Sequence, residues 1–297
     1  MSRTAAEIAT QPACWRRAAE AAAAFEGLPG PGERVAVTGC GTSWFMALAY
    51  AALREGAGLG ETDAFAASEF PAGRAYDRVV VITRSGTTTE VLDLLTRLGG
   101  RVPTLALTAA PTAPVVRAAD AVAVLDWADE ESVIQTRFAT TALAFLRAGL
   151  GELPGVKPVA QAAVDAELAL TEPLPEAVVT AEQWTFLGQG WTYGLALEAG
   201  LKMREAAGAW TEAYPAMEYR HGPIAVTRPG RVTWVLGTLP EGLAGDVARA
   251  GGTLVARQDA DPLADLVRAQ RLAVALAESQ ALDPDHPRHL SRSVILG

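Results

Sequence analysis

The run R-V-A-V-T-G-C-G-T-S, Arg34 to Ser43, decides the fold. Arg34 to Thr38 is a short β-rich stretch that breaks at Gly39 and Gly41 and passes into an apolar helix predicted from about Ser43 to Glu55. A strand that ends in glycines and feeds a helix is the first half of a βαβ crossover. The alternation continues outward from it. Arg78 to Thr83 reads as a second buried strand, followed by a polar loop and a helix around Glu90 to Leu98. Val102 to Thr108 and Ala121 to Leu125 read as a third and a fourth strand. Strands alternating with helices of this length predict an α/β fold with a parallel sheet. Upstream, the alanine-rich segment Thr4 to Glu26 reads as one or two amphipathic helices, stopped by G-L-P-G-P-G at Gly27 to Gly32.

The second half restarts the pattern. A proline-punctuated stretch, Gly149 to Pro158, is followed by a bridging helix from about Val159 to Leu170. Gln183 to Leu187 then reads as a strand, G-Q-G at Gly188 to Gly190 as its loop, and Leu195 to Ala207 as a helix. Arg231 to Gly237 and Thr253 to Ala256 supply further strands, and a last helix lies near Leu263 to Glu278. This is a degenerate internal duplication with a period of about 150 residues. The expected division is a helical segment over 1–28, a first α/β domain over 29–150, and a linker helix, second α/β domain and tail over 151–297.

Composition agrees with this and excludes other classes. Of 297 residues, 50% are hydrophobic and 20% charged, which suits two globular domains and not a disordered chain. Asp plus Glu outnumber Lys plus Arg by 34 to 25, a net charge of −9, which argues against nucleic acid or an anionic membrane as partner. The apolar stretches are broken by Arg, Glu or Gly, and Met1 to Arg17 lacks the apolar core of a signal peptide, so a cytoplasmic location is expected. Cys14 and Cys40 make no disulfide framework, and three histidines leave little for a metal. No cofactor is expected. The loop from Gly39 has Trp44 where a dinucleotide fingerprint needs its third glycine or alanine, and no Gly-Lys-Ser/Thr closes a P-loop.

In parallel α/β sheets, ligands bind beyond the carboxyl ends of the strands. The richest loop there is T-R-S-G-T-T-T, Thr83 to Thr89, with five hydroxyls around Gly86 just ahead of a helix. Hydroxyl donors beside a helix N-terminus suit a phosphate monoester. The plainer reading is a Ser/Thr cap in a polar turn. Thr42 and Ser43 face the same end. Further on, Glu198, Lys202 and Glu205 fall at i, i+4 and i+7 on one helix face, the spacing of a stabilising solvated pair as well as of a catalytic set. The neighbouring segment E-A-Y-P-A-M-E-Y-R-H-G-P, Glu212 to Pro223, places His221 in a Gly-Pro turn. A carboxylate base and a histidine near a phosphate cradle are what an aldose–ketose interconversion needs, the histidine for ring opening and the carboxylate for proton transfer through an enediol.

With these motifs in order, the chain resembles the SIS (sugar isomerase) family, in particular the isomerase half of the glucosamine-6-phosphate synthases. G-C-G-T-S, the loop from Thr83, L-E-A-G-L-K-M-R-E, E-A-Y-P with H-G-P, and the terminal D-P-D-H-P-R-H-L-S-R-S-V carry the likeness from about Gly30 onward. The resemblance implies two tandem SIS units, each a parallel five-stranded sheet flanked by helices, flavodoxin-like, in a homodimer. It implies that Thr83, Ser85 and Thr88 bind phosphate with Arg84 backing the loop, and that Thr42 and Ser43 contact sugar or phosphate. Val133 and Gln135 would line the sugar pocket. Glu205 would be the proton-transferring base, Lys202 and Glu198 its supports, and His221 the ring-opening residue, donated across the dimer interface. The substrate implied is a sugar phosphate, an amino-sugar or ketosamine phosphate by preference, isomerised with or without deamination.

Three departures qualify it. Ser2 stands where a glutaminase domain needs a cysteine nucleophile, so glutamine-dependent synthase activity is not expected. Arg292 stands where the synthases have a Schiff-base lysine; a guanidinium forms no imine, although it can pair with a phosphate or carboxylate. Thr87 stands where they have glutamate. The rival readings are a non-catalytic sugar-phosphate sensor and an isomerase of another sugar phosphate, such as a pentose phosphate. His286 and His289 read as structural, and Cys40 as a small packing residue.

Overall fold

A computed structural model describes residues 1–71 and 73–296. Two helices come first, α1 (Arg3–Ala9) and α2 (Gln11–Ala23). Then follow β1 (Val35–Gly39), α3 (Thr42–Gly56), β2 (Thr62–Ala66), β3 (Arg78–Ile82), α4 (Thr89–Leu98), β4 (Thr104–Thr108), α5 (Val115–Ala118), β5 (Ala121–Val124) and α6 (Arg137–Ala148). The rest is α7 (Val159–Thr171), α8 (Glu176–Val179), β6 (Gln183–Gly188), α9 (Thr192–Ala207), β7 (Thr211–Pro215), β8 (Arg231–Leu236), α10 (Leu243–Arg249), β9 (Thr253–Ala256) and α11 (Pro262–Ser279). Among the described residues no helix is long and apolar enough to cross a membrane.

The chain forms two compact units. One comprises Ala13–Glu131, Gln135–Ala160 and Ser291–Gly297. Its parallel sheet has the order β2-β1-β3-β4-β5, the flavodoxin-like arrangement. β1 and β4 are buried throughout, as expected of central strands covered on both faces. Ala36, Val79, Val81 and Ala106 pack against Val91, Leu94, Leu95 and Leu98 of α4 and against Phe70. At the amino end of the sheet Arg78 grips the carboxylate of Glu33 through two bonds of 2.9 and 3.0 Å.

The other unit comprises Met1–Pro12, Ser132–Ile134 and Gln161–Leu290. Its sheet has four parallel strands in the order β7-β6-β8-β9 among the described residues. The expectation of a second five-stranded sheet is therefore corrected. After β9 the chain meets Asp261 and Pro262, which start α11: the Asp261 carboxylate accepts the Leu263 N–H at 2.9 Å, and proline occupies the first helical turn. In the first unit α5 and β5 stand between β4 and α6, whereas here β9 leads directly into the 18-residue α11. α11 packs along α9, and Trp234 of β8 donates to the buried Asp265 of α11 at 2.8 Å. Burial pushes the Asp265 carboxyl above its ordinary range.

Two strands stand outside the sequence reading, β2 (T-D-A-F-A) and β7 (T-E-A-Y-P). Both are edge strands, each carries an acidic second residue, and only the first residue of each is fully buried. An edge strand solvated along one side lacks the apolar run that marks a central one.

Candidate functional site

The strand order of the first sheet reverses at β1: β2 is added on one side and β3 to β5 on the other, so the crevice beyond β1 and β3 is a topological switch point. The loop after β1 places Thr42 and Ser43 in the first turn of α3, both buried. The Ser43 hydroxyl donates to the Gln135 side-chain carbonyl at 3.4 Å, bringing two of the candidate residues together.

The loop after β3 is held from below. Thr83 and Arg84 are buried, and the Arg84 carbonyl accepts from the Thr108 hydroxyl and the Ala109 N–H, both at 3.1 Å. Gly86 has φ +63°, and a Cβ there would lie 2.6 Å from both the Ala113 and Val115 side chains. The loop can turn this tightly only with glycine at that position. Thr88 occupies the N-cap of α4 yet makes no capping bond with its side chain, so the plain capping role does not account for it. Ser85 and Thr87 stand half-buried at the mouth, their hydroxyls 3.0 Å apart.

Arg84 points away from this mouth. Its guanidinium lies 3.5 Å from the buried carboxylate of Glu130 and donates to the Arg292 carbonyl at 3.1 Å. Glu130 also accepts the N–H groups of Thr136 and Arg137, each at 2.6 Å, and so covers the amino end of α6. The Arg292 side chain is likewise engaged, with the Asp129 carboxylate and the Glu130 carbonyl. Sequence reasoning missed Asp129 and Glu130, because no spacing signals a carboxylate some 46 residues from the arginine it holds. It missed Ser293 as well. The tail residues 291–296 run along the Thr83–Thr89 loop, and the Ser293 hydroxyl meets those of Ser85 and Thr87 at 3.1 and 3.0 Å.

In the other unit, α9 presents Glu198, Lys202 and Glu205 as one linked set. Lys202 is almost fully enclosed, 3.5 Å from Glu198 and bonded to Glu205. The solvated-pair reading is thereby replaced, since neither Glu198 nor Lys202 reaches water. Glu205 differs from Glu198: its side chain is 19% exposed against none. Of the two carboxylates, only Glu205 is reachable from outside. His221 lies exposed at the end of the turn Glu218–His221, which is fastened by Tyr219; that phenol, buried, bonds the hydroxyls of Thr227 and Thr233 at 2.5 and 3.0 Å. Val133 lies in the same unit, its N–H donating to the Asp285 carbonyl at 3.2 Å. Cys40 is half-buried, and burial together with the Glu90 charge pushes its thiol up to about 11, which disfavours a nucleophilic role. His286 pairs at the surface with Asp283.

The fold is SIS-like, of the phosphosugar isomerase type, and resembles the isomerase half of the synthases named above. A glucosamine-6-phosphate deaminase from Thermotoga maritima superposes with a TM-score of 0.80 at 23% identity, over 99% of this chain and 100% of that one. The C-terminal domain of glucosamine-fructose-6-phosphate aminotransferase from Francisella tularensis gives 0.77 at 20% identity, over 97% and 98%. In sequence, the isomerizing glutamine–fructose-6-phosphate aminotransferase of Xylella fastidiosa is 29% identical over 93% of this chain and 53% of its own length. The chain thus spans about half the length of the curated relatives it matches. No family profile matches it.

Proposed function

We propose that the chain is an enzyme acting on a phosphorylated amino sugar or ketosamine phosphate, isomerising it with or without loss of ammonia. The observation that carries this reading is the Thr83–Thr89 loop: hydroxyls at a switch point, ahead of a ten-residue helix, one of them at an N-cap it does not serve. The names of the relatives point the same way. Thr83, Ser85 and Thr88 would bind the phosphate, with Arg84 bracing the loop from behind, and Thr42, Ser43, Gln135 and Val133 would contact the sugar.

Glu205 would be the base. Its reachable carboxylate removes a proton from carbon 2 of the open-chain aldose, or carbon 1 of the ketose, and returns it to the other carbon through an enediol or enolamine. Lys202, itself steadied by Glu198, orients that carboxylate. In the deaminating version, water adds at the carbon bearing nitrogen and ammonia leaves, giving the ketose phosphate. His221 would open the ring; its exposure supports donation across a homodimer interface. Arg292, engaged with Asp129, would act through the tail and form no imine.

Proton NMR in deuterium oxide tests the reading, with glucosamine 6-phosphate in one tube and fructose 6-phosphate plus ammonium in another. Exchange at carbon 2 or carbon 1, lost in Glu205→Gln, is the expected result, and ammonium release in the first tube selects deamination. Binding of both sugars without exchange would replace the enzyme reading with that of a sugar-phosphate sensor.

A further inference from the structure

We propose that Ser293, in the C-terminal tail, is a further ligand of the substrate phosphate, an assignment that rests on the phosphate reading of the Thr83–Thr89 loop. The hydroxyl oxygens of Ser85, Thr87 and Ser293 form a nearly equilateral triangle with sides of 3.0, 3.0 and 3.1 Å. Each hydroxyl proton turns freely about its C–O bond, so all three can be redirected to one acceptor while the oxygens stay in place. A phosphate monoester presents three terminal oxygens and suits such a cluster of donors.

The tail is fixed on both sides of Ser293. Before it, the Arg292 carbonyl accepts from Arg84 at 3.1 Å, and the Arg292 guanidinium holds Asp129 and the Glu130 carbonyl. After it, the Val294 carbonyl accepts the Thr89 N–H at 3.2 Å, and the Leu296 N–H donates to the Thr89 hydroxyl at 2.9 Å. These bonds set the Ser293 side chain at the loop mouth.

Charge makes the third hydroxyl matter. The guanidinium groups of Arg84 in the loop and Arg292 in the tail are directed to Glu130 and Asp129. With those two cations engaged, the hydroxyls and backbone N–H groups of the mouth carry the anion, and each hydroxyl counts for more than it would beside a free cation.

The test is a titration of the full chain with inorganic phosphate, followed by phosphorus NMR, in the wild type, Ser85→Ala, Ser293→Ala and Ser293→Thr. Thermal unfolding of each variant checks that it is folded. Ser293→Ala should weaken phosphate about tenfold, and Ser293→Thr should recover most of the loss. With a turned-over sugar phosphate, Ser293→Ala should raise KM and leave kcat near its wild-type value. If Ser85→Ala loses phosphate while Ser293→Ala binds as the wild type does, Ser293 is no ligand and the loop reading stands. If neither substitution matters, the loop reading fails and takes the tail with it. Tighter phosphate binding in Ser293→Ala would make the tail a competitor of the anion, which also overturns the proposal.

Discussion

The two sheets repeat one another at their amino ends and diverge at their carboxyl ends. Glu33 before β1 is gripped by Arg78 at the start of β3, and Glu182 before β6 is met by Arg231 at the start of β8. The edge strands T-D-A-F-A and T-E-A-Y-P occupy the same place beside the first strand of each sheet. Beyond β3, however, the chain offers hydroxyls and enters α4 through Thr88. Beyond β8 it offers Gly237, Thr238, Leu239 and Pro240, clamped by Gln258, which donates to the Gly237 carbonyl at 2.7 Å and accepts the Leu239 N–H at 3.2 Å. The polar chemistry of that unit sits instead along α9. The two units share a frame while their loops differ, so a shared strand order predicts where a site lies and says little about what it binds.

The comparison breaks most sharply on Glu205. Glu205→Gln should cut carbon-bound proton exchange by about 10²- to 10⁴-fold and leave inorganic phosphate binding unchanged, measured by exchange rate and phosphorus titration on the same sample. Loss of both together would mean that binding and proton transfer are not divided between loop and helix.

Next in size is the enclosed lysine. Lys202→Met takes the cation away from the buried Glu198 carboxylate and should cost about 3–5 kcal/mol in chemical unfolding, whereas a solvated pair would cost less than about 1. Smaller again is a contrast of two left-handed glycines. Gly86→Ala meets Ala113 and Val115 as well as an unfavourable φ, for about 2–4 kcal/mol. Gly190 has φ +57° with nothing within 4 Å, and Gly190→Ala should cost only about 1–2. Equal costs would show that the loop around Gly86 yields.

The smallest effect separates the paired carboxylates at the amino ends. Arg78 holds Glu33 below its ordinary range, and Arg228 with Arg231 does the same for Glu182. A folded-state pKa below the unfolded one gives stability that is present above the unfolded value, near 4.5, and is lost as pH falls through the folded one. Glu33→Gln should therefore remove more of the acid dependence of unfolding than Glu182→Gln, because Glu33 is the less exposed. Added salt should shrink the Glu182 share first.

The central strands were readable because burial on both faces leaves continuous apolar runs such as Val79 to Ile82, and most helices because glycine, proline and N-cap residues mark their ends. β2 and β7 were not, since their solvated edges carry Asp63 and Glu212 inside otherwise short runs. The second sheet has four strands among the described residues, and the repeated strand–glycine–helix pattern of the sequence had made a fifth the simplest expectation. In the candidate site, the hydroxyl loop and the α9 triplet are local and show in the sequence. Contacts of Arg84 with Glu130 and of Ser85 with Ser293 join positions far apart in the chain, and only the fold brings them together.

Both thiols of the chain are raised by burial, Cys14 as well as Cys40. Thiolate is the species that maleimides and iodoacetamides attack, and burial disfavours it at both positions. Both native cysteines are therefore expected to react slowly with cysteine-directed dyes. A fluorophore at an introduced surface cysteine, for example Met217→Cys on an exposed side chain near His221, could be read without first removing either native thiol.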